Sequence, residues 1–118
     1  WWIKKYSRTG TEFSEWNKIV DGGNGNDFPT SIAFDSLNNV YISGTGFNLF
    51  SDVSAEDWWI KKYNSSGVED SSWNKKYDGN YLQTDIPYAI AIDSQDSIIV
   101  AGKVRRESTN WWILRITQ

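Results

Sequence analysis

The sequence contains no cysteine, no histidine and no methionine. Without cysteine there is no disulfide framework, no thiolate nucleophile and no zinc–thiolate site. Without histidine the usual general base and the commonest metal ligand are missing. Without methionine, residue 1 is not a translation start, so the chain is expected to be processed or to be a window on something longer. No apolar run approaches the roughly twenty residues of a membrane helix, and no signal-peptide pattern is present. Lys and Arg number 12 against 15 Asp and Glu, a net charge of −3. Arg105-Arg106 is the one basic pair outside the Lys-Lys dipeptides, so the dense basic footprint of a nucleic-acid binder is absent. No membrane span and no nucleic-acid partner are expected.

Aromatic residues are abundant instead, at 16% with eight Trp. Disordered chains are poor in such residues because they cannot bury enough apolar surface to offset chain entropy, so this chain folds, alone or with partners. The aromatics are also periodic. Trp1-Trp2-Ile3-Lys4-Lys5-Tyr6 recurs unchanged as Trp58-Trp59-Ile60-Lys61-Lys62-Tyr63, and in part as Trp111-Trp112-Ile113-Leu114-Arg115-Ile116. Gly10 matches Gly67, Trp16-Asn17-Lys18 matches Trp73-Asn74-Lys75, and Asp21-Gly22 matches Asp78-Gly79. After one inserted residue, Asp27, Pro29, Ile32, Ala33, Asp35, Ser36 and Gly44 match Asp85, Pro87, Ile90, Ala91, Asp93, Ser94 and Gly102. The chain is therefore a single repeat region with units at about 1–57 and 58–110 and a partial third copy at 111–118.

Each unit offers four strands rich in β-branched and aromatic residues and bounded by turn formers. The first is Ser31–Phe34 (Ala89–Ile92 in the second copy) and the next Val40–Ser43 (Ile98–Ala101). The third is the double-Trp segment, and the fourth runs Trp16–Val20 or Trp73–Tyr77. Asp35–Asn39 and Asp93–Ser97 read as tight hairpin connections, with each Asp capping its turn. Ser7–Gly10 and Asn64–Gly67 read as turns closing on Gly. In the first strand, large Ile32 and Phe34 face one way and small Ser31 and Ala33 the other. That pattern suits a sheet covered on both faces by neighbouring sheets. The reading is all-β, as tandem four-stranded antiparallel sheets.

The stretch from Ile32 to Gly67 resembles the bacterial β-propeller repeats of the SBBP type and the related delta-sixty type. The resemblance rests on Ser31–Asp35, then Val40–Gly44, a variable loop, and an aromatic strand from Trp58 with its turn closing at Gly67. The double Trp departs from the single aromatic more usual there. The resemblance implies propeller blades, about two in this chain, from a secreted or cell-surface bacterial protein without shared catalytic chemistry. A closed propeller typically takes four to eight blades. Two blades expose faces carrying Trp and Ile, so either further blades or other copies of the chain are expected to cover them.

Candidate sites follow. The loop 45–57 varies between copies, and on rigid β scaffolds variable connections carry recognition; Phe47, Leu49, Phe50 and Asp52 are its candidate ligand-binding residues. The competing reading is that the apolar three tuck over the sheet. Asp52, Glu56 and Asp57 form an acidic patch expected to be a solvated face. Asp21, Asn24, Asn26 and Asp27 are a weak calcium candidate, against the reading that they satisfy loop N–H groups. Adjacent Trp residues on a strand face opposite ways, so each pair serves packing rather than one stacking platform. The expectation is a non-catalytic scaffold or binding module for an unidentified protein or glycan. A multivalent lectin with Trp-lined pockets between blades, or a self-assembling subunit of a ring or filament, are the alternatives.

Overall fold

The computed structural model describes residues 1–50, 55–79 and 83–117. Among them are nine strands: β1 (Trp2–Ile3), β2 (Lys18–Ile19), β3 (Phe28–Phe34), β4 (Val40–Phe47), β5 (Glu56–Tyr63), β6 (Lys75–Tyr77), β7 (Ile86–Ile92), β8 (Ile98–Arg105) and β9 (Thr109–Ile116). They form three antiparallel sheets, β1-β2, β3-β4-β5-β6 and β7-β8-β9. The fold is all-β.

The repeat is reproduced in three dimensions. The hairpin Asp35–Asn39 turns on Asn38 and its counterpart on Asp96, both at positive φ. Asp35 accepts from the backbone N–H groups of Leu37 and Asn39, and Asp93 from those of Gln95 and Ser97, so the Asp carboxylates cap their turns as expected. Both β3 and β7 begin earlier than the hydrophobic pattern suggested, and each carries a bulge just after its proline. Each is an edge strand, where a residue lacking an N–H is tolerated. The fourth strands are shorter than expected, because Trp16 and Trp73 close 3₁₀ turns (Ser14–Trp16 and Ser71–Trp73) ahead of β2 and β6. The Asn that follows each turn accepts from an indole of the same sheet: Trp2 donates to Asn17 and Trp59 to Asn74.

The two residues of each Trp pair face opposite sides, and in the central pair, Trp58 and Trp59, both are buried. Trp1 stacks on Trp59 of the next sheet at 5.1 Å, and Trp58 stacks on Trp112 of the sheet after at 5.7 Å. Trp1 donates its indole N–H to the Thr45 carbonyl, and Trp58 to the carbonyl of Lys103, the equivalent position. The rings lie where Gly44 and Gly102 leave room: a Cβ on Gly102 would stand 2.8 Å from the Trp58 ring and 2.2 Å from the Ile86 carbonyl oxygen. Two buried clusters result. One joins Ile3, Trp16 and Val20 to Val40, Ile42, Trp59 and Tyr63. The other joins Tyr41, Trp58 and Ile60 to Ile90, Ile98, Val100 and Trp112.

The outer faces are uncovered. Trp111 and Ile113 are 83% and 71% exposed, whereas their repeat equivalents Trp58 and Ile60 are wholly buried. At the other end Trp2 and Tyr6 are exposed, and so, beside the first sheet, are Ile32 and Phe34 of β3. The expectation that β3 is covered on both faces holds on the Ala33 side alone. Ile90, the counterpart of Ile32, is buried because β7 packs across β3 and β4, whereas the first sheet stands off from β3 across an open crevice.

Candidate functional site

Of the variable connection between β4 and β5, residues 48–50 and 55 are described. Leu49 is buried in the first cluster, with Phe50 packed beside it. The Phe47 ring lies against Gly25. These side chains are tucked over the sheet edge, as the competing reading had it; Asp52 lies outside the described residues.

In the loop joining the first two sheets, Asp27 accepts from Gly22 N–H at 2.6 Å and from Phe47 N–H at 2.7 Å, and Asp21 accepts from Gly23 N–H. Asp85 repeats the role of Asp27, accepting from Gly79 and Arg105 N–H groups. This Asp is a strut: it ties the end of one sheet's last strand to the second strand of the next. The structure gives Asn24 and Asn26 exposed positions on the same loop, beside the two carboxylates.

At the second junction a further carboxylate stands beside the strut. Asp57, read from the sequence as part of a solvated acidic patch, is instead fully buried in β5. The correction follows from strand register. Trp58 sits opposite Tyr77, so the next step along the same pair of strands sets Asp57 beside Asp78. The next sheet brings Asp85 against them, held by the Asp85 N–H donating to the Glu56 carbonyl at 2.8 Å. One oxygen from each of Asp57, Asp78 and Asp85 lies within 4.8 Å of the others. Among the described residues Asp57 has no hydrogen-bond donor on either oxygen. Burial, then the charges of Asp78, Asp85 and Glu56, push its carboxyl up to about 7. Burial also raises Asp85, against the two N–H groups that favour its ionised form.

Residues 15–50, from the first 3₁₀ turn through β2, β3 and β4, match the SBBP family model, a β-propeller repeat. Comparison with curated proteins finds no match. The matched propeller stretch contains the first strut, Asp27, and the Gly44 on which Trp1 rests. It ends at Phe50, before the acidic cluster. Among the described residues no helix is long and apolar enough to cross a membrane.

A separate open crevice of about 500 Å³ lies between the first two sheets, lined by Ile3, Lys4, Trp16, Ile32, Phe34 and Val40. It occupies the side of β3 that, on β7, is filled by packing against the preceding sheet.

Proposed function

We propose that the chain is a non-catalytic β-propeller scaffold or binding module acting outside the cell or at the bacterial envelope, its three sheets belonging to successive blades of a larger ring. The observation that carries this reading is the recurrence of one interface. Trp on Trp, indole on carbonyl and Asp on two backbone N–H groups repeat in register from one junction to the next. Side chains that could suggest chemistry, such as Asp35, Asp93 and Asp27, are engaged in turns and struts. The uncovered Trp111 and Ile113 then mark where a further blade packs, whether from the same polypeptide or from another copy. Placement outside the cell rests on the likeness to secreted bacterial repeats.

Exposed Trp111 favours a second reading, a lectin, because a free indole face stacks on sugar rings. A glycan array separates the two. The scaffold reading expects no glycan signal from the purified chain. Saturable binding that Trp111→Ala abolishes, with folding intact, would replace it with the lectin.

A further inference from the structure

Asp78 and Asp85 recur in the repeat as Asp21 and Asp27, but the position of Asp57 is Asn110 in the next copy, so Asp57 is what sets the acidic cluster apart. Asp57 is completely shielded from solvent, yet among the described residues neither of its oxygens has a hydrogen-bond donor. Folds rarely tolerate such a group, because an ionised carboxylate removed from water needs compensation from a donor, a cation or a proton. The carboxylates of Asp78 and Asp85 stand beside it, and no ion pair to it is found among the described residues. Asp85 beside it spends one lone pair of each oxygen on a backbone N–H and keeps the others. Asp78 is half-buried and gives the cluster its opening to solvent.

We propose that Asp57, Asp78 and Asp85 form a calcium site that clamps the second sheet to the third. The donors are all hard carboxylate oxygens, which suit calcium or magnesium and not a softer metal. Three protein carboxylates at one ion favour calcium, because magnesium keeps several waters and is usually held by one or two carboxylates. The ion would meet β5, the exit of β6 and the approach to β7 at once, so binding is linked to the docking of the two sheets. The residues differ from the Asp21–Asp27 loop singled out by its composition, whose two carboxylates hold backbone N–H groups.

The test is calorimetric titration of the EDTA-treated chain with calcium chloride, alongside thermal unfolding, on the native sequence, Asp57→Asn and Asp78→Asn. The native chain is expected to take up one calcium and to gain about 5 °C or more in Tm at saturation. Asp57→Asn is expected to lose both responses while unfolding in EDTA no earlier than the native chain, since the amide removes the buried charge. If Asp57→Asn fails to fold, Asp78→Asn at its half-exposed position carries the same comparison. No heat and no Tm shift in the native chain at millimolar calcium would overturn the proposal. So would a calcium response that survives in both variants, or magnesium binding as tightly as calcium.

Discussion

Trp58 and Trp111 are the same residue of the repeat in two environments, so truncating each to Ala isolates what a blade-to-blade contact contributes. Trp58 is fully buried, stacked on Trp112, seated over Gly102 and bonded to the Lys103 carbonyl. Burying an indole of roughly 200 Å² at about 25 cal/mol per Å² stabilises by about 5 kcal/mol. Measured Trp→Ala costs in cores run at about 3–5 kcal/mol. The indole hydrogen bond adds about 1 kcal/mol, and the Lys103 carbonyl is left to find another donor. A loss of about 4–5 kcal/mol is a large share of the roughly 5–15 kcal/mol that holds a domain together. Trp58→Ala should therefore lower the urea midpoint drastically or leave the chain unfolded at 25 °C. Trp111→Ala has only solvent to lose and should cost within about 0.5 kcal/mol. Both are measured by urea unfolding followed by circular dichroism at low micromolar concentration. Equal costs for the two, or a Trp58→Ala cost below about 1 kcal/mol, would refute the packing argument.

Other substitutions probe the remaining contacts. Gly102→Ala should destabilise by about 1–3 kcal/mol, because the new Cβ meets a backbone oxygen that cannot swing away; thermal unfolding reads it. Asp27→Ala should cost about 3 kcal/mol through two lost charge-assisted bonds to Gly22 and Phe47, measured in the same assay. Leu49→Ala should cost about 2–4 kcal/mol as a core residue; an unchanged midpoint would return the loop to recognition duty. Acid should weaken the hairpins. Burial would raise the Asp35 carboxyl, but bonds from Asn39, Leu37 and Tyr41 outweigh it and hold it below its ordinary 3.8. Its contribution is thus full well above that value and fades as pH falls through the lower folded value. Urea midpoints of Asp35→Asn should accordingly fall less steeply between about pH 5 and pH 2 than those of the native chain.

Much of the fold was legible because the repeat supplies each strand twice. A pattern such as Ile-Ala-Phe-Asp beside Ile-Ala-Ile-Asp marks strand and turn together, and the alternation of Trp58 with Trp59 sets the two faces. Three features escaped. The fourth strands were drawn too long, since nothing in Ser-Glu-Trp-Asn announces a 3₁₀ turn closed by an Asn that captures a distant indole. The burial of Ile32 and Phe34 was overestimated, because alternation reports which way a side chain points and not whether a neighbour is there. Asp57 was assigned to solvent because Glu56 and Asp57 read as a charged loop. The overlooked signal was register: Trp58 opposite Tyr77 already implies Asp57 beside Asp78, and repeat phase then brings Asp85.

If successive blades pack through their Trp pairs, the free face bearing Trp111 and Ile113 must seek a partner. Light scattering after size exclusion, over a wide concentration range, reads this from the mass of the 13.6 kDa chain. The apparent mass should rise with concentration, and Trp111→Asp should reduce that rise without loss of strand signal in circular dichroism. A well-folded monomer at every concentration, unchanged by Trp111→Asp, would contradict the claim that these sheets are blades built to be covered.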